Sequence, residues 1–344
     1  MHSLVEIVHP ADVLFFLRPI RMMEERGHRV TVVSREKDVA GALLDRFGIA
    51  HTPISRQGRG LAGLGIELVR RDFALYRHVR RDRPDVMLGF GGVAISHVGW
   101  ATGIPSLVIY DTDKAGLQIR IAWPFLSALI VPEDWQGAVA RGRTERLAGT
   151  KDLSYFHPSA FRPDPDRARA QGLAPDRPNV FVRMVRWSAN HDIGKRGWSE
   201  EEASALVAAL GEAKLHVSAE AEPPSPLHPH LWRGDPTAVH HLLGCCDAYV
   251  GESATMACEA ATMGVPALYA GEDLWGYVAG LGRRGLVEWC PPAARAELGP
   301  RAAALLADRS DFDAAHQCWL AKAPDWSEVV VQRAERLAAR SRRA

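Results

Sequence analysis

The feature that most constrains this chain is the alternation at its start. A short β-type run, Leu4 to Val8, ends at His9-Pro10. Val13 to Glu25 follows with Val13, Phe16, Leu17, Ile20 and Met23 at helical spacing, and Arg29 to Ser34 (RVTVVS) is a second strand. Strand, helix and strand within 34 residues make a βαβ unit, which demands a parallel sheet and a right-handed crossover. The alternation continues with a helix at Asp38 to Phe47, a strand at Ile49 to Ile54, a Gly-rich loop at Gly58 to Gly65 and a helix at Ile66 to Arg81. Strands at Asp85 to Gly89 and Ser106 to Tyr110 complete an open α/β first half.

From Trp135 to Pro178 periodicity gives way to Pro, Arg and Gly, so this stretch reads as the interdomain segment. The pattern then resumes with a strand at Val180 to Val185, a polar loop at Arg186 to Ser199, a helix at Glu200 to Leu210 and a strand at Leu215 to Ala219. Next come a helix at Ala238 to Cys245, a strand at Ala248 to Val250, a helix at Thr255 to Met263 and a strand at Pro266 to Tyr269. With 344 residues, about two domains of roughly 150 residues each are expected. The division expected is 1–160 and 161–325, with an amphipathic, basic-ended helix at 326–344.

Composition narrows the class. Lys+Arg 42 against Asp+Glu 41 gives a net charge of +1, which speaks against a dedicated nucleic-acid binder. The five cysteines, Cys245, Cys246, Cys258, Cys290 and Cys318, include no C-x-x-C pair, and no H-E-x-x-H motif marks a metal site. No disulfide framework is expected and a reducing cytoplasm is the simplest location. The start of the chain is too short and polar for a signal peptide, and no run reaches the ~18 apolar residues of a membrane-spanning helix.

The most informative stretch is Gly251-Glu252-Ser253-Ala254-Thr255-Met256, followed by Glu259 and by Gly264-Val265-Pro266. It follows a strand and opens a helix, where free N–H groups with the Ser253 and Thr255 hydroxyls suit a diphosphate. Glu259 stands about one and a half turns on, within reach of a ribose. The alternative is that Ser253 and Thr255 only cap the helix and Glu259 lies on a solvated face.

This segment resembles the donor-nucleotide region of GT-B glycosyltransferases and of UDP-N-acetylglucosamine 2-epimerases. Gly89-Phe90-Gly91-Gly92 and Gly103-Ile104-Pro105 are similar to the sugar transferase that makes peptidoglycan lipid intermediates. Val8 to Phe16, Tyr110-Asp111-Thr112-Asp113, His157-Pro158 and Trp187 to Gly194 resemble a GT-B-like family of bacteria and archaea described only as a conserved domain of unknown function. The resemblance covers almost the whole chain. It implies an α/β GT-B fold, two Rossmann-like doubly wound domains facing across a cleft, acceptor side first and donor side second.

Strand carboxyl ends face the ligand in such sheets. His9 is therefore the first candidate for general base, with Asp12 as its orienting carboxylate. Alternatively, Asp12 caps the following helix and His9 packs against it. Asp111 and Asp113 either orient an acceptor or close an Asx-turn. Gly89 to Gly92 permits close approach of a ligand or of a helix. Arg183, Arg186, His191 and Lys195 lie in or beside the loop after the first strand of the second half. The resemblance implies that positive groups there neutralise the leaving diphosphate in place of a metal. Ser218 and Glu220 end the next strand beside them, while Trp232 and the pair His240-His241 are core or cap.

The expected activity is transfer of a sugar from a nucleotide-sugar donor, UDP-linked such as UDP-N-acetylglucosamine, to a small-molecule or glycan acceptor, inverting and metal-independent, with UDP as product and no cofactor. A homodimer fits the same expectation. The alternatives are a UDP-sugar 2-epimerase, against which stands the absence of an Arg-x-x-Thr-Glu-Arg-Pro segment after Tyr269, and a non-catalytic nucleotide-sugar-binding module.

Overall fold

In the computed structural model, residues 1–37, 39–58, 60–186 and 197–342 are described. The first parallel sheet is built from β1 (His2–Ile7), α1 (Pro10–Glu25), β2 (Arg29–Glu36), α2 (Ala40–Arg46), β3 (His51–Arg56), α3 (Gly60–Arg81), β4 (Val86–Phe90), α4 (Val93–Thr102), β5 (Ser106–Ile109), α5 (Gly116–Ala122), β6 (Ala128–Pro132) and β7 (Thr144–Leu147). Its strand order is β3-β2-β1-β4-β5-β6-β7. Every strand pairs in parallel with its neighbours. Six of the seven follow the doubly wound order, so the chain reverses direction across the sheet between β1 and β4. β1 is buried along its whole length, as a central strand covered on both faces must be. Leu4, Val33, Met87, Val108 and Leu129 pack with Leu75 and Val79 of α3 on one side.

The second sheet uses α6 (Pro165–Ala170), β8 (Asn179–Met184), α7 (Glu200–Leu210), β9 (Lys214–Ala219), α8 (Val239–Leu243), β10 (Ala248–Gly251), α9 (Ala254–Thr262), β11 (Ala267–Tyr269), α10 (Gly276–Arg283), β12 (Val287–Trp289), α11 (Leu298–Ala307) and α12 (Ser310–Leu320). The order β12-β11-β10-β8-β9 is again wholly parallel. Counted within this sheet it is the other common doubly wound arrangement, with its switch point between β8 and β10. α7 begins on a reciprocal cap: Ser199 Oγ accepts from the Glu202 amide and Glu202 Oε2 accepts from the Ser199 amide.

The chain divides into Met1–Tyr155 with the segment from Pro324 onward, and Phe156–Ala323. The boundary thus falls at 155/156 rather than 160/161. The last helix, α13 (Trp326–Ser341), joins the first unit instead of standing apart. Trp326 is fully buried and donates to the Ala148 carbonyl at 2.9 Å. Ser327 Oγ donates to the Ser154 carbonyl at 2.6 Å, and Arg333 grips Glu145 with two hydrogen bonds of 2.6 and 2.7 Å. A basic amphipathic end proves to be a helix whose apolar stripe is already covered.

Two stretches differ from expectation. The glycines of 58–65 read as a loop, yet α3 starts at Gly60, carried by a buried face of Glu67, Arg71, Leu75 and Val79 at helical spacing. The stretch from Trp135 holds β7, a short edge strand whose alternation is hidden because only Leu147 of its four residues is buried.

Candidate functional site

Each sheet offers its own candidate at its switch point, where the strand carboxyl ends diverge and leave a crevice. In the first unit, β1 ends at Ile7, and His9 is the N-cap of α1 with Pro10 at the first helical position. His9 Nδ1 accepts from the Ala11 amide at 3.2 Å, while Asp12 Oδ2 accepts from the Val8 and His9 amides, both at 2.9 Å. This is the capping reading of the sequence. Asp12 is spent on backbone N–H groups rather than aligning the imidazole. With Nδ1 as acceptor, the neutral ring carries its proton on Nε2. Asp12 is buried, and its pKa is pushed up to about 7 by burial against the pull of the two amides.

Asp111 follows β5 and is also buried. Burial raises its pKa, and Lys151, with Nζ 3.7 Å from Asp111 Oδ2, opposes the rise. Lys151 also donates to Asp152 Oδ1 at 2.9 Å, which Tyr155 Oη reaches at the same distance. The Thr112 hydroxyl donates to Asp111 Oδ1 at 3.1 Å. Sequence reasoning missed Lys151 and Asp152. They sit in a one-turn 3-10 helix inside the stretch read as linker, and a Lys-Asp dipeptide carries no spacing signal. Beside them, Gly91 and Gly92 adopt left-handed conformations (φ 70° and 44°) between β4 and α4. A Cβ on Gly92 would lie 2.7 Å from the Val108 side chain, so it is packing against the sheet that requires glycine there.

In the second unit, β10 ends at Gly251 and Ser253 caps α9, its Oγ accepting from the Met256 amide at 3.3 Å. The first-turn amides of Ala254 and Thr255 have no intrahelical acceptor, which is what an anion at this terminus uses. Glu252 is buried and fixes the turn to β8. Its amide donates to the Arg183 carbonyl at 2.9 Å and its Oε2 accepts from the Val185 amide at 3.0 Å. Glu252 is therefore a positioning residue.

Arg183 rises from the end of β8, where Nη1 donates to Ser218 Oγ at 2.7 Å and Nη2 donates to Glu220. The same carboxylate accepts from the Arg186 amide at 3.1 Å, and the Arg186 guanidinium donates to the Glu220 carbonyl at 3.1 Å. Arg183, Arg186, Ser218 and Glu220 thus gather where the sequence suggested. Glu259 does not lie on a solvated face. It is buried, with Oε2 3.4 Å from Nε2 of His240. His241 accepts the Asp164 amide on Nδ1 at 3.0 Å and is structural. His191 and Lys195, with the Trp187 to Gly194 motif, lie outside the described residues. Among the described residues no three His, Cys, Asp or Glu side chains gather as a metal site, and no helix is long and apolar enough to cross a membrane.

Two doubly wound sheets, each with a crevice-forming switch point, are the architecture that known structures share. Residues 2–158 match the family described as Protein of unknown function (DUF354). Over almost its whole length the chain has the GT-B fold. It aligns with UDP-GlcNAc 2-epimerase from Neisseria meningitidis bound to UDP-GlcNAc at a TM-score of 0.70 and 11% identity, covering 96% of this chain and 99% of that one. The glycosyltransferase VinC in complex with dTDP gives a TM-score of 0.69 at 17% identity, covering 99% and 100%. MurG of Acinetobacter baumannii gives 0.61 at 15%, covering 97% and 99%.

Two curated relatives carry the same description, UDP-N-acetylglucosamine--N-acetylmuramyl-(pentapeptide) pyrophosphoryl-undecaprenol N-acetylglucosamine transferase. The one from Halorhodospira halophila is 29% identical over 147 residues, 38% of this chain and 41% of the relative. The one from Rhodospirillum rubrum is 27% identical over 210 residues, 58% and 51%. The chain spans about half the length of the relatives it matches.

Proposed function

We propose that the protein transfers a sugar from a nucleotide-sugar donor, UDP-linked such as UDP-N-acetylglucosamine, to a small-molecule or glycan acceptor, with inversion and without a metal. The observation that carries this reading is that Arg183 and the Glu252–Met256 turn meet at the switch point between β8 and β10. There the α9 terminus and a guanidinium offer donors to one diphosphate, with Arg186 beside them. Arg matches phosphate oxygens with a planar fork and stays charged, so it can stabilise a leaving diphosphate without a metal's charge. Glu259, buried against His240, is the ribose-binding candidate only if the ribose hydroxyls share or replace that imidazole.

In the transfer, the acceptor oxygen forms a bond to the sugar's anomeric carbon as the bond from that carbon to the diphosphate oxygen breaks. The electron pair leaves with the diphosphate and the acceptor's proton passes to a base. His9 remains first choice, as an exposed imidazole just past the carboxyl end of β1, its Nδ1 accepting from the Ala11 amide at 3.2 Å. Asp111, with its pKa raised and a lysine beside it, is the second carboxyl at that edge. UDP-sugar 2-epimerisation is the competing reading, since an epimerase aligns as well as a transferase does.

The test is thermal shift with UDP, dTDP, GDP and CMP, followed by product analysis of UDP-N-acetylglucosamine with and without acceptor. Stabilisation by UDP and transfer only with acceptor are expected. No stabilisation by any nucleotide overturns the reading, and a C2-epimerised sugar made without acceptor replaces it with epimerisation.

A further inference from the structure

The first sheet is parallel, so its strands all start at one edge, opposite the carboxyl ends that carry His9 and Asp111. Two cavities of about 370 and 550 Å³ open at that edge, between the starts of β5, β6 and β7 and helix α13. They share Ser127, Arg143, Leu337 and Arg340 and so form one groove, which none of the chemistry above uses.

One end of the groove is cationic. Arg143, Arg333, Arg336 and Arg340 line it, against Glu145 as the one acidic residue of its described lining. Arg333 already holds Glu145 through two hydrogen bonds of 2.6 and 2.7 Å, which keep that carboxyl below the usual range. Arg336 and Arg340 make no hydrogen bond or ion pair among the described residues. Four positions apart, they stand on one face of α13, where like charges repel. Arg143 is fixed by one arm: its Nη1 donates to the Leu126 carbonyl at 2.6 Å and to that of Pro124 at 3.3 Å, which leaves the edge formed by Nε and Nη2 open. The Ser127 hydroxyl adds a donor, since its oxygen accepts from the Ser106 amide at 3.1 Å and its proton goes to no described residue. A fixed guanidinium with an open edge beside two unengaged ones matches the oxygens of a phosphate.

The other end is carbon. Trp100 is 70% exposed yet braced edge-on by Phe125, with ring centroids 5.4 Å apart, and Ile104, Leu126 and Leu337 continue its surface. A hydrocarbon chain laid there is favoured in proportion to the apolar area it covers. Inorganic phosphate leaves this wall wet, and an uncharged amphiphile leaves the arginines facing one another.

We propose that this groove binds an anionic amphiphile, a phosphomonoester carrying an aliphatic chain, with the phosphate held by Arg143, Arg336 and Arg340 and the chain laid along Leu126, Leu337 and Trp100. The groove lies at the opposite end of the strands from the crevice between β1 and β4, and its ligand does not depend on the sugar-transfer reading.

The test is isothermal titration of the full chain with n-octyl phosphate, kept below its micelle concentration, against inorganic phosphate and n-octyl β-D-glucoside. Octyl phosphate is expected to bind at least about tenfold more tightly than either. Combining Arg336→Gln with Arg340→Gln should weaken it by about tenfold or more, and Trp100→Ala should weaken it severalfold. All three side chains are exposed, so Tm should stay at its wild-type value. Inorganic phosphate binding as tightly would leave only a cationic surface, and octyl glucoside binding as tightly would leave only an apolar one; either result overturns the inference. Wild-type binding in the double arginine variant overturns it too, as does retention on phosphatidate vesicles without binding of free octyl phosphate. UDP titrated into the same samples reports separately on the donor side.

Discussion

Arg183 donates from its guanidinium to the carboxylate of Glu220, so the cation best placed for a diphosphate already carries a counter-charge. A ligand phosphate must displace that carboxylate or bind beside it. Glu220→Gln removes the competing charge and keeps the hydrogen-bonding shape, and UDP affinity should rise severalfold. Arg183→Ala should lower it by about 10- to 100-fold, the worth of one charge-assisted hydrogen bond of roughly 1.5–3 kcal/mol. Isothermal titration of both variants decides it. Weaker binding in Glu220→Gln would make Glu220 a ligand-orienting group instead of a placeholder.

Asp12 gives the protein a pH signature. Its folded pKa of about 7 stands above the ordinary 3.8, so across that interval the native state holds a proton the unfolded chain has released. By linkage, stability from this group is fully present below about pH 4 and lost as pH rises through 7. Asn at this position can still accept the Val8 and His9 amides but does not titrate. The Tm of wild type minus that of Asp12→Asn should therefore fall steadily from pH 4 to pH 8, by several degrees at about 1.4 kcal/mol per pKa unit. A difference that stays flat with pH would show that the carboxylate is ionised throughout.

The parallel α/β architecture was legible in the sequence because βαβ alternation is a short-range signal, and α7 was read at its true bounds, Glu200–Leu210, from its acidic first turn. The Gly-rich opening of α3 and the polar edge strand β7 were not, because tertiary burial on one face decided them and local propensity did not. The same division runs through the sites. Ser253, Glu252 and Arg183 sit at strand ends and could be placed by topology. The pairings Lys151 with Asp111 and Arg333 with Glu145 bring together residues 40 and 188 positions apart, and no spacing rule connects them. The engagement of Asp12 with two amides likewise follows from how the chain enters α1.

Ser253 separates capping from ligand binding. Its Oγ accepts one first-turn amide of α9, so Ser253→Ala should cost about 1 kcal/mol and Ser253→Gly only a few tenths. In a unit of this size, 1 kcal/mol corresponds to a Tm change of about 2–4 °C. If the hydroxyl also meets the donor phosphate, UDP affinity should fall in both variants alike, whatever their Tm. Stability loss with unchanged UDP affinity in differential scanning and titration experiments would confine Ser253 to the cap.

His9 can be tested without disturbing the helix it starts, because the best N-cap residues include Asn. In His9→Asn the side-chain oxygen takes over from Nδ1 as acceptor for the first-turn amide, so Tm should hold or rise slightly. An Asn side chain at position 9 cannot take a proton near neutral pH. General-base catalysis is typically worth about 10²–10⁴-fold, so kcat for transfer should drop by at least about a hundredfold while the KM for the nucleotide sugar stays near its wild-type value. The pH profile of kcat/KM should also lose its acidic limb. A variant with undiminished kcat would pass the base role to the carboxyls at this edge, and Asp111, with Lys151 3.7 Å away opposing the burial that raises its pKa, would be the next to replace.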